Sequence, residues 1–149
     1  MRPQRLADTE AAHRDTIRAV QQRLHQATFR QAVIAAYEGR CALSGLPEPL
    51  LLDAAHIVPD RHESLGQPVV PHGIPLTKLH HAAFDGHLIG IDANCRLPIS
   101  RNLMAQRDGP MLEALKALDR QPIRLPARLR DQPDRDRLSL RFREFLASA

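Results

Sequence analysis

Leu50-Leu-Leu-Asp-Ala-Ala-His-Ile57 is short, apolar and bounded by prolines, and it reads as a buried strand. A loop rich in Pro, Asp, Arg and Gly follows over residues 58–71. Gly73-Ile-Pro-Leu76 then gives a second extended piece, and Thr77 stands where a helix N-cap belongs. From Thr77 the pattern predicts two to three helical turns to Asp85, closed by Gly86. Strand, loop, strand and helix make a ββα unit, so the expected class is α+β.

Outward from that unit, Ile17, Val20 and Leu24, then Phe29, Val33, Ala36 and Tyr37, recur at steps of three and four. This predicts a helical N-terminal extension over residues 1–38, broken near Gln26–Thr28, with Thr28 capping a second segment and Gly39 ending it. The first part is polar enough to pack loosely or against a partner. A turn-rich knuckle from Cys41 to Pro49 precedes the first strand. Downstream, Leu88–Ile91 and Arg96–Ile99 suggest a hairpin across Asp92-Ala-Asn-Cys95. A helix is expected from Asp108, with Pro110 in its first turn and Met111, Leu112, Leu115 and Leu118 on its apolar side. Ile123–Leu125 fits a further strand. Asp134 then caps a last helix carrying Leu138, Phe142, Phe145 and Leu146. The reading is one domain over 1–149, with a core at about 41–92 and the hairpin and helices at 93–149.

The chain has 149 residues, 43% hydrophobic and 26% charged, which suits one domain with a real core. Its formal charge of +4 permits a polyanionic partner without demanding one. Two cysteines, Cys41 and Cys95, exclude both a disulfide scaffold and a four-cysteine zinc ribbon. No apolar stretch approaches the roughly 18 residues of a bilayer span, and the N-terminus lacks a signal-like apolar core. A cytoplasmic protein without a membrane partner is the expectation.

Histidine carries the chemistry. Six of the eight histidines (His56, His62, His72, His80, His81 and His87) fall between positions 56 and 87. Imidazoles gather where a group titrates near neutrality or a transition metal is held. His62 and His87 read as surface residues. His81 and Asp85, at i and i+4, share a helix face, so an imidazole and a carboxylate there can hold one cation. His56, at the end of the first strand, could serve as a base toward that cation. The set suits metal-assisted phosphodiester hydrolysis.

Arg40-Cys-Ala-Leu-Ser-Gly-Leu-Pro47, Leu52-Asp-Ala-Ala-His-Ile-Val-Pro59, Val70-Pro-His-Gly-Ile-Pro-Leu76, Leu79-His-His-Ala-Ala-Phe-Asp85 and Leu88-Ile-Gly-Ile-Asp92 together resemble the HNH (His-Asn-His) endonucleases of the ββα-metal fold, most closely a bacterial restriction-endonuclease branch. The resemblance implies that His56 is the general base, His81 a metal-ligating helix histidine and Asp85 a second helix ligand. His72 stands where the family usually has an asparagine that braces the loop. Ala55 occupies a position where many members carry a ligand, and Asp53, on the same strand face, is the candidate to replace it. The family's zinc knuckle would fall on Cys41, Ser44, Thr77 and His80; two of four ligand types are missing, so structural zinc is not expected.

The implied cofactor is one divalent cation, Mg2+ or Mn2+ first, with Ni2+ or Zn2+ as alternatives. The implied partner is double-stranded DNA, with a homodimer left open and restriction or defence as the context by analogy. Arg61, Lys78, Arg96 and Arg101 are candidate phosphate contacts, though solvated surface charge is the better account of any single one. Two other classes compete: a non-catalytic DNA-binding module with a degenerate site, and a histidine-rich metal-binding protein.

Overall fold

A computed structural model describes residues 3–59 and 69–148; Arg61 and His62 lie outside them. Strand β1 (Leu52–His56) and strand β2 (Gly73–Thr77) pair antiparallel, Leu52 opposite Thr77 and His56 opposite Gly73. The apolar run that opens at Leu50 is not all strand. Pro49–Leu51 form a 3-10 turn, capped by the Glu48 carboxylate accepting from Leu50 N at 3.1 Å. Proline at the turn's start fixes φ and so delays the extended backbone to Leu52.

The two strands are sandwiched between helices, and strand alternation sorts their side chains. Helix α1 (Pro3–Ala36) covers one face through Phe29, Val33 and Ile34. Helix α2 (Lys78–Asp85) covers the other, with Ala83 and Phe84 buried. All five residues of β2 are buried. Pro75 cannot donate to a ladder, but its carbonyl accepts from Ala42 N at 2.8 Å, which lays the knuckle along the outer edge of β2. Gly73 is where α1 comes closest: a Cβ there would sit 2.5 Å from Phe29 Cζ and 2.9 Å from Val33 Cγ2.

Helix α1 is continuous, contrary to the expected break. Thr28 Oγ1 donates back to Leu24 O at 2.8 Å, a bond that leaves its side chain within the helix rather than capping a new one. Gly39, at φ 73°, donates to Ile34 O at 2.9 Å and ends the helix as expected. Before Phe29 no residue of the helix is fully buried, and only Ala11 and His25 are partly so.

Thr77 caps α2, its hydroxyl accepting from His80 N at 3.1 Å. After Gly86, His87 takes the left-handed turn at φ 57°. The hairpin beyond it is looser than strands: one bridge, Ile89 to Ile99, with Asp92 Oδ1 accepting from Asn94 N and Arg96 N in the turn. The expected strand at 123–125 is likewise a single bridge, Arg96 to Pro122. A short helix not read from the sequence, α3 (Arg101–Ala105), is capped by Ser100. Helix α4 (Pro110–Lys116) starts at proline and buries Leu115, while Met111 is 64% exposed. Helix α5 (Arg135–Ser148) is capped by Asp134 and buries Leu138, Arg141 and Phe145. Leu138 and Phe84 close a core that also holds Ile57, Ile74, Leu76, Ile89, Ile91 and Leu97.

Candidate active site

The site forms where β1 meets α2. Asp53 and Ala55 point from β1 toward α2, and Ala55 is fully buried in the core. Asp53, partly exposed, reaches the helix: its Oδ2 lies 3.0 Å from His81 Nδ1 and its Oδ1 accepts from Lys78 Nζ at 2.8 Å. Lys78 and His81 sit at i and i+3, one above the other on the helix face, so one carboxylate spans both. Burial raises the Asp53 pKa, but the hydrogen bonds from His81 and Lys78 outweigh it and hold the carboxyl below its ordinary value.

The other edge of His81 faces Asp85, Nε2 to Oδ2 at 3.3 Å, as the i, i+4 spacing required. Asp85 is in turn held from α5. Arg141, only 6% exposed, donates to Phe84 O at 3.0 Å and reaches Asp85 Oδ1 at 3.4 Å, with its guanidinium 4.5 Å over the Phe84 ring. Arg141 had no local sequence signal, because it meets α2 from 56 residues away. Lys78 had one, its i, i+3 relation to His81.

His56 is on the opposite face of β1. Its ring stacks on Phe29 of α1, centroids 4.4 Å apart and planes within 6°. His72 ends the 3-10 turn Val70–His72, and its carbonyl accepts from Ile57 N at 2.9 Å. The loop exit is thus tied to the end of β1 through the backbone. The structure therefore brings Asp53, His81 and Asp85 into one chain of contacts, and places His56 and His72 together at the other end of the sheet.

Among the described residues, no three His, Cys, Asp or Glu side chains converge as a ready cation site. The donor chemistry nevertheless fits a divalent ion held partly by solvent. An imidazole whose Nδ1 rests on a carboxylate presents Nε2 outward, and a carboxylate oxygen lies beside it. Mg2+ and Mn2+ are commonly held by one or two carboxylates with waters completing the shell.

One turn away, Cys41, Ser44, Thr77 and His80 also converge. His80 Nδ1 is 2.7 Å from Thr77 Oγ1 and 3.8 Å from Cys41 Sγ, which accepts from Ser44 N at 3.4 Å. Burial raises the Cys41 thiol, yet these hydrogen bonds prevail and bring it down to about 6. Of the candidate phosphate contacts, Lys78 is engaged by Asp53 and Arg96 donates to Arg120 O at 3.1 Å; Arg101 is exposed at the start of α3.

Residues 41–92 match the family model described as HNH endonuclease. The resemblance expected from the motif residues holds over this segment. A solved structure, a modification-dependent TagI restriction endonuclease, shares the fold with a TM-score of 0.52 at 18% identity over 79% of this chain. The match spans 37% of that protein, little more than a third of its length. No curated protein matches the chain. Among the described residues, no helix is long and apolar enough to cross a membrane.

Proposed function

We propose that the protein is a divalent-metal-dependent endonuclease that hydrolyses phosphodiester bonds in double-stranded DNA. The observation that carries this reading is the contact chain Asp53–His81–Asp85, built on one face of α2 inside the segment that matches the HNH endonucleases. His81 and Asp85 would hold the cation. Asp53 holds His81 Nδ1, so its role is to fix the ring and raise its basicity rather than to ligate. The ion supplies charge stabilisation at the phosphate and the leaving oxygen.

The family resemblance gives His56 the proton of the attacking water; its ring lies on the face of β1 opposite Asp53 and His81, so loss of nicking in His56→Ala is the result that would join the two ends of the sheet in one site. Stacking on Phe29 fixes the plane of its ring and leaves the ring edge, where both nitrogens lie, outside the stack. His72 stands in for the loop asparagine. Its bracing contact to Ile57 runs through the backbone, which supports retention of the loop despite the changed side chain. A role in restriction or defence goes with this activity by analogy with the restriction endonuclease of similar fold.

One observation favours a second reading, a DNA-binding module without turnover: Ala55, where a ligand is common, is sealed in the core and offers no donor. Plasmid incubation with Mg2+, Mn2+, Ni2+ or Zn2+, with and without chelator, separates the two. Chelator-sensitive nicking supports the nuclease; a gel shift without nicking in any of the four metals supports the binding module.

A further inference from the structure

We propose that Arg141 is a positioning residue for the cation. It holds one oxygen of Asp85, so that Asp85 meets the ion with the other alone and the site favours Mg2+ or Mn2+ over Ca2+. This role rests on the reading of His81 and Asp85 as the residues that hold the ion, and it adds the group that decides which ion suits them.

The two oxygens of Asp85 face different partners. Oδ2 lies 3.3 Å from His81 Nε2, and Oδ1 lies 3.4 Å from Arg141 Nη2. The Asp85 side chain is 58% exposed and has room to turn; that of Arg141 is 7% exposed and has none. Leu138, Arg141 and Phe145 follow at steps of three and four on the buried face of α5, so the stem of the arginine is fixed with the core. Its guanidinium lies 4.5 Å over the Phe84 ring, and the same Nη2 donates to Phe84 O at 3.0 Å. Ring and carbonyl fix where the donor stands, and the carboxylate comes to it.

Packing alone does not account for an arginine here. Among the described residues its buried Nε has no hydrogen-bond partner, which is a cost. Phe84 O already accepts from His87 N at 3.2 Å, so the end of α2 is satisfied without the guanidinium. An apolar side chain of similar volume would lie over Phe84 with no charge to desolvate. What the arginine alone supplies is a fixed donor for Asp85 Oδ1.

That donor acts on cations in two ways. Its charge lowers the pull of the carboxylate on any of them. Its hold on Oδ1 withholds a ligand, and here the ions differ. Ca2+ takes about six to eight oxygens and often both from one carboxylate, whereas the smaller Mg2+ keeps several waters and needs fewer protein oxygens. Loss of Oδ1 therefore falls mainly on Ca2+.

Calorimetry of the full chain without DNA, with Mn2+ or Ca2+ as titrant, tests the role. Wild type should bind Mn2+ at least about tenfold more tightly than Ca2+. Arg141→Met should tighten both ions, and Ca2+ more, so that the ratio of the two affinities falls at least about threefold. Arg141→Leu is the second variant, and thermal melts show which variants are folded. Lys78→Met removes a positive charge from the same helix while Asp85 Oδ1 stays held; its ratio should stay within about twofold of wild type, since an exposed charge acts on both ions alike. A ratio that holds in the folded Arg141 variants, one that falls as far in Lys78→Met, or a wild type that binds the two ions alike overturns the proposal. Asp85→Ala should weaken Mn2+ binding. If it does not, or if wild type binds no Mn2+, the reading of His81 and Asp85 as the cation site fails and the role of Arg141 fails with it.

Discussion

His80 and His81 are neighbours in sequence and occupy opposite kinds of surroundings. His80 faces back into the knuckle, where Thr77 and Cys41 meet its Nδ1 beside the fully buried cysteine. His81 faces out between two carboxylates, its side chain 28% exposed. Successive helical residues differ by about 100° in direction, so one residue packs while the next stays open. A histidine tied down by a hydroxyl and a thiol holds the fold together. One set between carboxylates at the surface can meet a cation.

Exchange of the two histidines for alanine should separate these roles most widely. If His81 holds the cation, His81→Ala is expected to lower DNA cleavage by at least about 100-fold, no less than the loss on removing a partner that orients a ligand. Thermal stability should change little. His80→Ala is expected to do the reverse, with a loss of about 1–3 kcal/mol in urea melts from the partners left unsatisfied in the knuckle and cleavage by the folded fraction unchanged. Equal losses of cleavage in both variants would break the comparison.

Asp53→Asn sharpens it. If Asp53 orients His81, Mn2+ affinity by calorimetry should fall about 10- to 100-fold, while Lys78→Met, which removes only the other partner of the carboxylate, should have a smaller effect. Unchanged Mn2+ affinity in Asp53→Asn would remove Asp53 from the site.

Much of this was legible in the sequence because it is local. The Thr77 cap, the i, i+4 relation of His81 to Asp85 and the strand face of Asp53 all follow from short-range geometry. What was not legible depends on long-range packing. The strand could not tell which helix would cover which face, so the stacking of His56 on Phe29, away from Asp53, was hidden. Thr28 has the chemistry of a cap but lies within a continuous helix, and the choice between cap and back-bond rests on how α1 meets the sheet. Arg141 meets α2 only through tertiary contact.

The knuckle side has its own, smaller signature in pH. Cys41 should titrate at about 6 by thiolate absorbance, against 9.0 for an ordinary thiol, while burial pushes Cys95 up and keeps it apart. Because the folded value is depressed, this group's stabilisation is present in full above pH 9 and is lost as pH falls through 6. Between pH 6 and 9 stability should rise with pH, and that rise should flatten in Cys41→Ser. A wild-type titration near 9 would show that His80 and Ser44 do not hold the thiolate.

Arg141 grips Phe84 O and Asp85 from a helix 56 residues further along the chain. During synthesis the strands and α2 leave the ribosome well before α5 does. At about 5–20 residues per second, Asp85 goes several seconds without its guanidinium. Until α5 is made, Asp85 lacks one of its supports, and the full arrangement around it comes into being only once residue 141 can fold back onto α2. The order of synthesis therefore separates the pairing of β1, β2 and α2 from the later arrival of the guanidinium that steadies Asp85.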